Sequence, residues 1–233
     1  MSRDPGSIVC PSDSRVVVGS MNETSSLLIK DKFFDFDELL SIDRSNWRQS
    51  FAGGDFAIFR LTPEKYHYVH VPAAGKVEDF YEVRGGYHSC NPGATVSLIN
   101  AHSKNRRVIT ILQTDVPGGA WIGLVAIIEV VALMVGQIAQ RYSEEQYNSP
   151  QPVAPGMFLR KGQPKSLFRP GSSTVILLFQ PGRIQFAEDL LSNRSRRDVT
   201  SRFSIGFNQV IVETDVAVRS VLAYRQKHSK GIL

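Results

Sequence analysis

Turn residues break this chain so often that its apolar segments are mostly of strand length. RVVVGS ends at Gly19, GDFAIFRLTP is closed by Pro63, and a Pro-Ala-Ala-Gly turn divides YHYVHVPAAGKVEDFYEV into two strands. RRVITILQTDVPGG and STVILLFQPGRI each supply another. Short runs rich in β-branched and aromatic residues, bounded by Gly, Pro and Asp, read as strands. DFDELLSI (35–42) places acidic residues ahead of apolar ones at helical spacing and predicts a short helix. IQFAEDLLSN predicts a second, and GFNQVIVETDVAVRSVLAYRQKH a strand with a helix near the end. No strand–helix–strand rhythm is present, which argues against a doubly wound sheet. The pattern predicts an α+β class: mostly antiparallel β-sheets with a few short helices, in a single domain over 1–233. The polar, Pro-rich QRYSEEQYNSPQPVAPG (140–156) predicts an exposed connecting loop.

One apolar stretch, GGAWIGLVAIIEVVALMVGQI (118–138), is long enough to cross a membrane as a helix. Glu129 lies within it and Gly118, Gly119, Gly123 and Gly136 punctuate it, so it reads as buried strands or a strand–helix pair. Hydrophobic residues at 42% and charged residues at 21% are those of a soluble globular chain. The net charge of +5 is concentrated toward the C-terminal quarter, at Arg194, Arg196, Arg197, Arg202, Arg219, Arg225, Lys227 and Lys230. Such a surface can meet nucleic acid or anionic lipid. No nucleic-acid motif or aromatic interleaving accompanies it, so a solvated basic face is the default and nucleic acid is not an expected partner. Cys10 and Cys90 belong to no Cys-x-x-Cys or Cys/His cluster. They imply a reducing compartment without structural zinc or disulfides. MSRDPGSIVC lacks an apolar core, so no signal peptide is expected and the chain is read as cytoplasmic.

Three places hold residue types that do chemistry. In LTPEKYHYVHVP, His67 and His70 are three apart: on a strand they face opposite ways, and in a turn they converge. Each reads equally as a turn cap, and neither His88, His102 nor His228 completes a metal-ligand spacing with them. In CPSDSRVVV, Asp13 sits where an ordinary turn aspartate would. In PGSSTVILLF, Ser172 and Ser173 lie between a Pro-Gly turn and an apolar strand, without the Gly-x-Ser-x-Gly of a nucleophile elbow. A serine oxygen attacks a carbonyl when a histidine takes its proton and a carboxylate orients the histidine.

Taken together and in order, six blocks resemble the phosphatidylserine decarboxylase family. CPSDSRVV is similar to that family's Ser-Pro-x-Asp-Gly-x-Val segment, and FAGGDFAIFRLTPEKYHYVHVPAAGKV to its Leu-x-Pro-x-Asp-Tyr-His-Arg-x-His-x-Pro-x-x-Gly block. YHSCNP and NRRVITILQTD resemble the next two, and VVALMVGQI the Val-Gly-Ala-x-x-Val-Gly-x-Ile segment. RKGQPKSLFRPGSSTVILLFQPGRI resembles Lys-Gly-x-x-x-Gly-x-Phe-x-x-Gly-Ser-Thr with its following strand. The blocks span residues 9 to 184.

The resemblance implies a pyruvoyl-dependent carboxy-lyase that makes its own cofactor from a serine, with no pyridoxal phosphate and no metal. Asp13 would orient His70, His70 would be the base for the serine, and His67 would serve the decarboxylation step. STVILLF matches the family strand without a gap from Ser173, while Gly171-Ser172 matches the usual junction read backward, so one residue is extra. Buried strands hold register and loops absorb insertions. The expected cleavage is therefore Ser172–Ser173, with Gly171–Ser172 as the alternative, leaving a β chain 1–172 associated with an α chain 173–233. The pyruvoyl ketone would join the substrate amine as a Schiff base and accept the electrons left by carbon dioxide.

Four residues depart from the family pattern: Ser14 and Val131 stand for Gly, Lys65 for Asp and Tyr68 for Arg. The first block begins near residue 9, so the chain is expected to be either a piece lacking the upstream membrane helices of bacterial members or a soluble relative. Three functions follow. One is decarboxylation of phosphatidylserine to phosphatidylethanolamine, with peripheral contact at the inner face of a membrane. Another is decarboxylation of a free amino acid by the same cofactor, and the third is a non-processing binding module. Family analogy adds a homo-oligomer.

Overall fold

The longest apolar runs become the middle of one sheet. The computed structural model describes residues 1–22, 33–97, 101–133, 137–169 and 173–227. Its antiparallel eight-stranded sheet contains β2 (Ser14–Ser20), β3 (Asp55–Leu61), β5 (Gly75–Val83), β6 (Arg107–Gln113), β7 (Leu124–Val131), β9 (Phe158–Leu159), β11 (Ser173–Phe179) and β13 (Thr214–Val216). Their spatial order is β13-β2-β3-β11-β7-β6-β5-β9. Two three-stranded antiparallel sheets flank it. One runs β1 (Ser7–Val9), β14 (Val221–Arg225), β12 (Ile184–Phe186), and the other β4 (Tyr68–His70), β10 (Pro164–Arg169), β8 (Gln137–Gln140). Helices are short, as at α1 (Phe36–Leu39), α2 (Ser45–Phe51), α3 (Pro92–Ser97), α4 (Ala101–Lys104), α5 (Glu188–Arg194) and α6 (Arg202–Phe207). Strand at 38% against helix at 17% makes this the antiparallel α+β fold that the turn rhythm predicts.

Both faces of the large sheet are covered, which explains why its strands read as continuous apolar runs. In β11, Val175, Leu177 and Phe179 enter one core, while Ile176 and Leu178 enter the other. β7 divides in the same way, with Val125, Ile127 and Val131 on the first face and Ala126, Ile128 and Val130 on the second. The imperfect alternation of β3 has this cause: Ala57, Phe59 and Leu61 are as deeply buried as Phe56 and Ile58.

Within the apolar run at 118–138, residues 124–131 form β7 and residues 137–138 open β8. Among the described residues, no helix is long and apolar enough to cross a membrane. Asp35 caps α1, its carboxylate accepting from the Asp37 and Glu38 amides. Two expectations change. The stretch read as a helix from Ile184 begins as β12, and α5 starts only at Glu188. The late stretch folds as β13 and β14, with no helix after β14 among the described residues. Burial of Leu222 and Ala223 between β1 and β12 requires an extended chain there. The 140–156 connection is largely exposed, yet Tyr142 is buried and bridges to Gln151.

Candidate active site

Three residues make β4, and neighbours hold it in place. It pairs with β10, Pro164 opposite His70 and Leu167 opposite Tyr68. The Phe168 amide donates to the His67 carbonyl at 3.1 Å, and the His70 amide to the Pro11 carbonyl at 2.7 Å. Both histidines are thereby fixed beside the strand that leads into the serine pair. His67 Nδ1 donates to the Lys65 carbonyl at 2.5 Å.

His70 is 1% exposed, and both its ring nitrogens are engaged. Nδ1 lies 2.9 Å from the Gly162 carbonyl, which only accepts, so Nδ1 carries the hydrogen. Nε2 therefore holds the lone pair and accepts from the Tyr66 hydroxyl at 2.9 Å. Tyr66 in turn accepts from the Tyr147 hydroxyl at 2.6 Å, and Tyr68 stacks on Tyr66 with ring centres 5.5 Å apart. Burial pushes the His70 pKa down to about 4; the Gly162 carbonyl opposes this, the Arg219 guanidinium adds to it and the Asp13 carboxylate opposes it. At neutral pH the imidazole is an uncharged base.

Asp13 lies within the electrostatic field of His70 but bonds elsewhere, accepting from the Val218 amide at 2.7 Å. The next residue, Arg219, has a left-handed backbone at φ 66°, and its amide donates to the Cys10 carbonyl. Its Nε donates to the Gly162 carbonyl at 2.8 Å, the same oxygen that fixes His70. The link from Asp13 to His70 thus runs through the 218–219 backbone and Gly162, not through a carboxylate–imidazole bond.

Ser173 opens β11, opposite Leu61 on one side and Val131 on the other. It is fully buried, and its Oγ has no hydrogen-bond partner among the described residues. Strand alternation directs it to the face of Val175 and Leu177, in the core that also holds Val69, Val71 and Phe168. His70 belongs to the separate β4-β10-β8 sheet, where alternation turns it away from Val69 and Val71, and no hydrogen bond among the described residues joins it to Ser173. Pro170, Gly171 and Ser172 lie outside the described residues, and with them both proposed scissile bonds; His228 does too.

On that face a second polar group is sunk in the sheet. Glu129 and Lys165 are both 0% exposed and meet at 2.7 Å, with Gln140 3.1 Å from the ammonium and Ser166 donating to the carboxylate. Glu129 stands opposite Val175, one diagonal step from Ser173. Burial pushes the Lys165 pKa down while the Glu129 charge opposes it. Of the departures, Lys65 pairs with Asp215 at 2.7 Å and Ser14 bonds the Ser12 carbonyl. Cys10 and Cys90 are free and buried, and burial pushes both thiols up to about 11, out of nucleophilic range at neutral pH.

Sequence reading misses Tyr66, Tyr147, Gly162, Arg219 and Lys165. A charge inside an apolar run was a signal that Glu129 needs a partner, but nothing in the spacing identifies Lys165. A φ of 66° at an arginine is invisible in a sequence.

The family model for phosphatidylserine decarboxylase matches residues 1–204. The chain is 34% identical over 199 residues to phosphatidylserine decarboxylase proenzyme 2 of Oryza sativa subsp. japonica, covering 84% of this chain and 29% of that protein. It is 36% identical over 184 residues to the phosphatidylserine decarboxylase proenzyme of Chlamydia trachomatis serovar L2, covering 78% and 55%. With the Saccharophagus degradans proenzyme it shares 29% identity over 203 residues, 84% of this chain and 69% of that one. The chain spans about half the length or less of the first two. Matched by the family model over residues 1–204, most of its length, this chain belongs to the phosphatidylserine decarboxylase family.

Proposed function

We propose that the chain is a self-processing, pyruvoyl-dependent decarboxylase acting on phosphatidylserine. One observation carries the reading: the Ser173 hydroxyl, first in β11 and separated by three residues from β10, the partner of the histidine-bearing β4, is wholly buried without a partner among the described residues. A hydroxyl desolvated without compensation costs roughly 1–3 kcal/mol; the Ser12, Thr110 and Thr174 hydroxyls share this state, and Ser173 differs from them in standing at the serine junction that the family motif marks. The same hydroxyl fits the precursor of a group made in place.

In the proposed processing step His70 takes the Ser173 proton while Oγ attacks the Ser172 carbonyl carbon. The bond to the Ser173 nitrogen breaks, leaving an ester and a free amine. Loss of the Ser173 α-hydrogen then expels the Ser172 carboxylate and leaves a dehydroalanine. Water replaces its nitrogen, which departs as ammonia, and the new N-terminus is a pyruvoyl group. That ketone supplies an electron sink for loss of carbon dioxide from an amine substrate. The chain's own contribution is positional: β3 and β7 clamp the strand that bears the group, β4 sets His70, and the Phe168 amide holds the His67 backbone just before it. His67 is assigned to the decarboxylation step, and Asp13 to His70 through Val218, Arg219 and Gly162. Phosphatidylserine as substrate is supported by the relatives' names.

The test is release of carbon dioxide from carboxyl-labelled phosphatidylserine and, in parallel, from a panel of free amino acids. Turnover of the lipid is expected. Turnover of a free amino acid with the lipid untouched would replace this substrate by the smaller one, and turnover of neither would remove the activity.

A further inference from the structure

The proposed reaction leaves one charged group near His70 without a ligand of its own. Arg219 spends its Nε–H on the Gly162 carbonyl, and no described residue bonds its Nη1 or Nη2. Four of its five N–H donors remain for an anion. Its place is enforced. The backbone sits at φ 66°, which favours glycine, and is held there by the Cys10 carbonyl on the Arg219 amide and by Asp13 on the preceding one. Strain of this kind at a non-glycine residue persists where surrounding structure over-determines it, and it gathers at ligand clamps. The residue is half-buried, and its Nε shares the Gly162 carbonyl with His70 Nδ1, which sets the guanidinium beside the imidazole. Among the described residues it forms no ion pair, whereas Lys65, Arg60 and Lys165 are each neutralised by a carboxylate. The family match ends at residue 204, so it assigns Arg219 no role.

We propose that Arg219 is the substrate-anion residue of this site, its Nη fork taking the phosphodiester oxygens of the headgroup. The inference rests on the decarboxylase reading. A substrate of that class brings two anions, a carboxylate and a phosphodiester. A guanidinium on the departing carboxylate would stabilise the ground state more than the transition state, in which that charge is leaving, and would slow the reaction. On the phosphodiester the same contact holds the headgroup without opposing the chemistry, and the planar fork matches two oxygens at once.

Arg219→Gly is the informative variant, because glycine adopts the left-handed backbone without strain. Arg219→Lys keeps the charge and removes the fork. The measurement is calorimetric titration of wild-type and variant protein with soluble glycerophosphoserine, together with KM and kcat for that compound and for phosphatidylserine in vesicles. The expected result is binding weakened about tenfold or more in Arg219→Gly, in line with loss of a charge-assisted pair. Arg219→Lys should recover only part of it, and KM should rise for both substrates more than kcat falls. Equal binding by wild-type and Arg219→Gly overturns the assignment. An effect confined to vesicles overturns it as well, because Arg219 would then be sensing membrane charge. The titration is also run on unprocessed Ser173→Ala chain, so a protein that never decarboxylates refutes the activity while leaving the Arg219 result readable.

Discussion

At the scale of single residues, the account turns on one serine oxygen and one imidazole lone pair. Ser173→Ala and His70→Ala should each leave the chain whole, while His67→Ala should cleave but turn over poorly; gel electrophoresis and carbon dioxide release measure the two outcomes. An uncleaved His67→Ala chain would contradict that division of labour. Tyr66 carries a subtler prediction. Its hydroxyl occupies the lone pair that the serine proton must reach, at 2.9 Å. Tyr66→Phe should therefore self-cleave about fivefold faster, the equivalent of one neutral hydrogen bond of ~1 kcal/mol. Slower cleavage in a time course would make the phenol a required donor instead. Motif order singled out Asp13, His67, His70 and Ser173 in the sequence, and the variants above test the roles of the last three. Their couplings were not legible there: Asp13 reaches His70 through Val218, Arg219 and Gly162, across separations of up to 205 residues.

At the scale of elements, β7 and β10 are joined by a buried ion pair that neither strand's local pattern required. Glu129 and Lys165 stabilise the fold only as partners. Glu129→Gln leaves a buried ammonium uncompensated and should cost about 3–5 kcal/mol in a urea titration. The double change Glu129→Met with Lys165→Met should cost far less or nothing, because desolvation of both charges disappears together. A double variant as unstable as the single one would mean the pair does more than satisfy itself. The strands themselves were readable from turn punctuation and apolar runs, down to Pro63 closing β3 and Gly19 near the end of β2. The last helix was misread because Val221–Arg225 carries helix-tolerant residues whose extended form is imposed from outside, by β1 and β12. Tertiary pairing overrode local preference there.

At the scale of the whole molecule, two buried histidines set the acid limit of stability. Burial pushes both His70 and His102 down to about 4 from an ordinary 6.5. Below pH 6.5 the unfolded chain binds protons that the folded chain refuses, so their contribution is complete above 6.5 and is lost as pH falls through 4. The urea midpoint should drop steadily across that window, and His102→Asn should flatten the drop by about one proton equivalent. A midpoint unchanged between pH 7 and 5 would contradict it. The same topology bears on processing. The α chain 173–233 would carry β11 between β3 and β7, and β14 between β1 and β12, so the cut pieces should stay together until unfolded. Mass spectrometry of the purified wild-type chain, native and then denatured, tests the central claim most directly. The account predicts one native assembly that resolves on denaturation into residues 1–172 and 173–233. The smaller piece would be blocked by a ketone, and the two masses would sum to the intact chain plus one water less one ammonia. A single unbroken 25.9 kDa chain, persisting through prolonged native incubation, would contradict it.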